Sequence, residues 1–111
     1  MNRKSLTGIW QKVYFSYEKK KIVPKGSGIY LLTNFSGDIL YIGISINLQR
    51  RFNEHLSSVK SFEMTPKGRS FWFYYSLCEE KKHRSLERGL LGQVELTEGC
   101  LPWFNRVSPP T

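Results

Sequence analysis

Residues 28–43 read GIYLLTNFSGDILYIG, and the fold turns on how this stretch is read. Two apolar, β-favouring runs, 28–34 and 38–44, flank Phe35-Ser36-Gly37-Asp38, where Ser, Gly and Asp are turn formers. The pattern predicts an antiparallel hairpin. It also sets a tyrosine beside a glycine on each strand, Tyr30 in GIY and Tyr41 in YIG. A two-residue turn at Ser36-Gly37 puts Tyr30 opposite Gly43, and one at Gly37-Asp38 puts it opposite Ser45. Side chains alternate with period two, so Tyr30 and Tyr41 share a face in both registers. A three-residue loop separates them unless a bulge restores the parity.

Working outward, residues 46–59 (INLQRRFNEHLSSV) carry helical spacing, with Leu48, Phe52, Leu56 and Val59 in one stripe and Ser45 or Asn47 as N-cap. Arg51 and His55 are four apart and flank that stripe, at the edge of the groove between helix and sheet. Pro66 and Gly68 mark a loop. FWFYYSL (71–77) reads as a central strand, and residues 80–96 as a second helix with Leu86, Leu90, Leu91 and Val94 as its apolar arc. Gly89 and Gly92 inside that helix each cost about 1 kcal/mol relative to Ala. Residues 1–21 read as an N-terminal extension packing on a domain at 22–106, followed by a short tail at 107–111. The expected fold class is α/β (α+β): a small, mainly antiparallel three-stranded sheet flanked by helices, in the order β-β-α-β-α.

A chain of 111 residues fits one compact domain. Seventeen Lys and Arg against nine Asp and Glu give a net charge of +8. That excess favours polyanionic partners, because each phosphate neutralised releases condensed counterions. The lysine cluster Lys19-Lys20-Lys21 suits a solvated face. Nothing is apolar enough to span a membrane, and MNRKSLTGIWQK lacks the unbroken apolar run of a signal peptide. The expected setting is intracellular, in cytoplasm or nucleoid. Cys78 and Cys100, far apart and without a ligand set around them, read as free thiols. Trp10, Trp72 and Trp103 suit packing more than base stacking.

On the wheel of the second helix, Glu87 falls inside the apolar arc, about 100° from Leu86. A carboxylate turned inward needs a partner, either a hard divalent cation or an arginine such as Arg51. The wheel does not choose between them. His83 lies on the same face one turn earlier, where a histidine is more often a satisfied edge residue than a ligand. Two same-face tyrosines, an Arg/His pair and an inward carboxylate form a workable phosphodiester toolkit. Paired carboxylates, a Ser or Cys nucleophile with a positioned base, and a GxxxxGK loop are all missing. Their absence argues against a two-metal nuclease, an ester hydrolase and a nucleoside triphosphatase.

GIY (28–30), ten residues, then YIG (41–43), continued as YIGISINLQRRFNEH to His55, resembles the signature of the GIY-YIG nucleases. LERGLL (86–91) is similar to the family's glutamate-bearing helix, and LPWFN (101–105) to its proline-to-asparagine element. The resemblance spans roughly residues 22–106. It implies a divalent-metal-dependent DNA endonuclease leaving 5′-phosphate and 3′-hydroxyl ends. Tyr30 would be general base or position the water, and Tyr41 would support water or phosphate. Arg51 would stabilise transition-state charge, and His55 would assist proton transfer or hold Tyr30. Glu87 would bind a single Mg²⁺ or Mn²⁺, and Asn105 would hydrogen-bond the site or brace the Glu87 helix. Ser45, Asn47, Arg50, Lys67 and Arg69 are expected to contact nucleic acid. Targeting would come from homodimerisation or an additional DNA-binding domain. The alternative is a nucleic-acid-binding module that keeps the fold without cutting.

Overall fold

The computed structural model describes residues 1–6 and 8–106, so the expected tail at 107–111 lies outside the described residues. Its main elements are β1 (Gln11–Tyr14), β2 (Gly28–Thr33), β3 (Ile39–Ser45), α1 (Leu48–Leu56), β4 (Trp72–Leu77) and α2 (His83–Glu98). Short 3₁₀ turns cover Val59–Ser61, Glu80–Lys82 and Trp103–Asn105. The sheet has four strands in the order β1-β4-β2-β3, with every pairing antiparallel.

The fourth strand corrects the three-stranded expectation. Gln11–Tyr14, placed in the extension by its sequence, pairs with β4 from Gln11 opposite Tyr75 to Tyr14 opposite Trp72. Only Val13 of the four is buried, too short an alternation to register as a strand. The first residues bind the opposite edge of the sheet. Ile39 N–H donates to the Met1 carbonyl at 2.9 Å, and Asn2 Nδ2 donates to the Ser36 carbonyl at 2.9 Å in the hairpin turn.

The hairpin loop holds three residues, Phe35-Ser36-Gly37, between Asn34 and Asp38. Asn34 N–H donates to the Asp38 carbonyl at 3.0 Å, and Gly37 takes φ +94°, a conformation that suits glycine. Thr33 faces Ile39, but Leu32 faces Tyr41, so Leu40 is an extra residue. This bulge restores the parity that the loop breaks. Tyr30 faces Gly43, and Tyr30 and Tyr41 project from one face, their ring centroids 5.9 Å apart.

Each face of the sheet buries a core. On one, Val13, Tyr30, Leu32 and Phe73 pack against Leu48, Phe52 and Leu56 of α1. On the other, Ile29, Leu31, Ile42 and Tyr74 meet Val94, with Leu90 and Leu91 beside it. Burying each such side chain contributes about 1.5–3 kcal/mol. Two positions of the expected apolar stripes lie outside these cores. Val59 is 53% exposed because α1 ends at Leu56, and Leu86 is 42% exposed. The arc of α2 is centred on Val94 and His83, both buried, which leaves Leu86 on its rim.

Candidate active site

The motif glycines are spaces that the site needs. A Cβ on Gly43 would stand 2.5 Å from both Cζ and Oη of Tyr30, so only glycine lets that ring cross its neighbouring strand. A Cβ on Gly28 would stand 2.4 Å from the Ser76 carbonyl oxygen, so GIY begins where the neighbouring strand β4 leaves no room for a side chain. Tyr30 is fixed by stacking on Phe73, centroids 5.1 Å apart with 11° between planes. Phe73 is in turn held edge-on by Phe52 of α1 at 5.0 Å.

Asn47 caps α1 by accepting from Arg50 N–H at 3.0 Å, which starts the helix at the first turn. From that start His55 turns onto the sheet rather than flanking the stripe. It is buried, and its Nε2 lies 2.7 Å from the Tyr30 hydroxyl. Its ring is 5.5 Å from those of Tyr30 and Tyr41. Arg51 stays half-buried, with Nη1 3.4 Å from Glu54 Oε1. Its Nε is enclosed and, among the described residues, has no hydrogen-bond partner.

The electrostatics follow from this enclosure. Burial above all, then the Tyr41 phenol, pushes the Tyr30 hydroxyl well above its usual pKa of 10; Arg51 opposes and the Glu87 charge adds to the rise. Burial, Lys60 and Arg51 bring His55 down to about 3. Lys60 is itself lowered, first by burial and then by Arg51, and its Nζ stands 5.0 Å over the Tyr41 ring. Lys60 belongs to this constellation and the sequence reading missed it. It sits in a 3₁₀ turn beyond α1, positioned by the Ser58 cap, and no helical spacing links it to Arg51 or His55.

Glu87 comes from α2. It is half-buried, and loss of solvent raises its carboxyl despite the opposing pull of Arg84, Arg88 and His83. Among the described residues it forms no ion pair; Arg51, the arginine considered for it, pairs with Glu54. A partly desolvated, unpaired carboxylate is donor chemistry suited to a hard cation. Among the described residues no cluster of three or more His, Cys, Asp or Glu forms a fuller cage.

Asn105 braces the edge strand. Its Oδ1 accepts from Ile42 N–H at 2.9 Å and its Nδ2 donates to the Ile42 carbonyl at 3.0 Å. That pair of hydrogen bonds pins the backbone between Tyr41 and Gly43. Beyond Ile42 the edge borders a groove lined by Ile44, Ser45, Arg50 and Arg51. Of the five expected nucleic-acid contacts, Ser45 and Arg50 are therefore here. The Ser45 hydroxyl is engaged in the turn, donating to the Asn47 carbonyl at 2.8 Å, while Asn47 caps α1. Lys67 is elsewhere, paired with Glu98 at 2.5 Å near the end of α2, and Arg69 is exposed in the loop before β4. Trp72 lies under Lys12 Nζ at 3.9 Å and Trp103 under Arg106, with Nε1 donating to Glu63 at 3.1 Å. Both cysteines are free. Among the described residues no helix is long and apolar enough to cross a membrane.

The model of the GIY-YIG catalytic domain matches residues 26–96. The chain is also similar to solved structures of the GIY-YIG N-terminal endonuclease domain of UvrC from Thermotoga maritima. The form bound to its catalytic divalent cation, magnesium, is 23% identical with a TM-score of 0.54, covering 68% of this chain and 85% of that one. An asparagine-to-alanine point mutant bound to the cation gives 23% identity and a TM-score of 0.53 over 68% and 84%. A tyrosine-to-phenylalanine mutant gives 22% and 0.54 over 68% and 85%. At this identity the likeness is one of fold. No curated protein matches the chain.

Proposed function

The chain belongs to the GIY-YIG catalytic domain family, and from that premise we propose that it is a divalent-metal-dependent DNA endonuclease. The observation that carries the reading is the buried contact between Tyr30 and His55, closed in by Tyr41 and flanked by Arg51. An uncharged phenol–imidazole pair beside two cations supports proton transfer next to a phosphate better than it supports packing, since a phenylalanine would fill the same space.

The attacking water gives a proton to the Tyr30 oxygen while the phenol passes its own proton to Nε2 of His55, so the pair takes up one proton in all. The new bond forms at phosphorus, the bond to the 3′-oxygen breaks, and a solvent proton completes the 3′-hydroxyl. Arg51, with its unpaired Nε, and Lys60 face the charge that grows on the phosphate oxygens. The substrate also prepares the base. Burial holds His55 down first, and Lys60 and Arg51 follow. A phosphate between those two cations offsets their share of the depression, so His55 is a stronger base with substrate bound than without it.

Glu87 would hold the Mg²⁺ or Mn²⁺, whose chemistry is to polarise the phosphate and lower the pKa of bound water. Tyr41 supports the water or phosphate, and Asn105 keeps Tyr41 and Gly43 in place. A nuclease domain at 22–106, its sheet completed by β1 from the N-terminal extension, and an intracellular location accompany this reading.

The test is cleavage of single-stranded, duplex and branched DNAs with Mg²⁺, followed by end-group analysis. Wild type should cut and leave 5′-phosphates, while Glu87→Ala should bind DNA without cutting. Wild-type protein that binds every DNA and cuts none would instead be a binding module.

A further inference from the structure

His83 has no role in the chemistry above, yet it is only 4% exposed and, among the described residues, its Nε2 has no hydrogen-bond partner. A buried ring nitrogen without a partner is costly. His83 begins α2 and lines the groove beside the edge of β3. Arg50, Arg51, Lys81 and Arg84 line the same groove, against one carboxylate, Glu80. The start of a sixteen-residue helix adds its own positive end. One of these cations, Arg51, also belongs to the Tyr30–His55 site, so groove and site are continuous.

We propose that this groove is a second phosphate subsite, which holds the backbone phosphate next to the scissile one in a nucleic-acid strand. Arg50, Lys81 and Arg84 supply the charge, and His83 Nε2–H donates to a phosphate oxygen. Nε2 is closed to solvent, so the contact forms as the exposed arms of Lys81 and Arg84 rearrange around the ligand, a motion of ps–ns scale for such side chains. The subsite fixes the direction in which a strand leaves the active site, along the edge of β3 towards the start of α2. It rests on the proposed function only in taking nucleic acid as the ligand.

Binding without metal separates the two ideas. Fluorescence anisotropy of a labelled DNA duplex, in EDTA and over a series of salt concentrations, is compared for wild type and two double variants. Lys81→Ala/Arg84→Ala should raise Kd several-fold and lower the slope of log Kd against log salt by about 0.9, the loss of one phosphate contact. Lys20→Ala/Lys21→Ala removes the same charge outside the groove and should change both less. Equal effects from the two double variants would mean general charge attraction and overturn the subsite. Inorganic phosphate titrated into the metal-free protein should shift the ring ¹⁵N resonances of His83 to saturation, and more weakly in Arg84→Ala. The chain has two histidines, so the resonances are readily assigned. Unmoved His83 resonances also overturn the proposal. A protein that meets these expectations but never cuts DNA in Mg²⁺ would lose the endonuclease reading and keep the subsite.

Discussion

The hydroxyl of Tyr30 stands 2.7 Å from Nε2 of His55, and both side chains are buried. Burial, with Lys60 and Arg51 beside it, brings the imidazole from 6.5 down to about 3. The unfolded chain therefore takes up a proton near 6.5 that the folded chain refuses until about 3. This contribution to stability is full above that upper value and is lost as pH falls through the window. Its slope reaches at most about 1.4 kcal/mol per pH unit for one proton. Urea unfolding from neutral pH down to about pH 4 should record that slope, and His55→Gln should flatten it. Equal slopes in the two proteins would mean that His55 is not held neutral.

Tyr30→Phe keeps the ring that stacks on Phe73 and removes only the hydroxyl. The rate of single-turnover cleavage should fall about 10²–10⁴-fold, the usual worth of a positioned acid–base group. Affinity for DNA without metal should stay close to that of wild type. The variant also leaves His55 Nε2 buried without its partner, which costs about 1–3 kcal/mol in thermal unfolding. Cleavage at the wild-type rate would remove the phenol from the proton path and leave His55 as sole base.

Why some of this was legible and some not is a matter of range. The hairpin is local, so its two apolar runs and turn residues announce it, and the Arg51/His55 pair follows from one helical turn. The three-residue loop and the bulge at Leu40 are two departures that cancel, and neither leaves a mark in composition. β1 is defined only by pairing with β4, sixty residues on in sequence, and its four residues bury a single side chain. Glu87 was readable as an inward carboxylate because the wheel of α2 is regular, but the centre of the arc depends on what the sheet presents to it. The sheet centres that arc on His83 and Val94, which puts His83 inside it and Leu86 on its rim. Lys60 reaches Tyr41 only through a turn whose direction no spacing rule sets.

Lys60 stands over the Tyr41 ring and is the second influence, after burial, that lowers His55. Lys60→Ala should therefore move the His55 titration up from about 3 while removing a cation from the phosphate. An NMR titration of His55 reads the first effect. The second should appear in single-turnover cleavage as a loss of about 10²-fold, the scale for one donor to transition-state charge. A cleavage rate unchanged by the substitution would place Lys60 outside the site, whatever its effect on His55.

Gly43 and Gly89 make opposite predictions for the same substitution. An added Cβ at Gly43 meets Tyr30 Oη and Cζ at 2.5 Å. Tyr30 cannot easily give way, because Phe73 stacks on one face of its ring and His55 holds its hydroxyl. Gly43→Ala should therefore cost about 1–3 kcal/mol as overpacking, and it should lower cleavage at least as much as Tyr30→Phe does, because the whole ring is displaced. At Gly89, inside α2, an added Cβ meets nothing within 4 Å. There Gly89→Ala only removes backbone freedom from the unfolded chain, and should add about 0.5–1 kcal/mol of stability with cleavage unchanged. Thermal unfolding and cleavage measured on both variants check the pair. A Gly43→Ala protein as stable and active as wild type would mean that Tyr30 does not cross the edge strand at this point, and the position of its hydroxyl beside His55 would have to be abandoned with it.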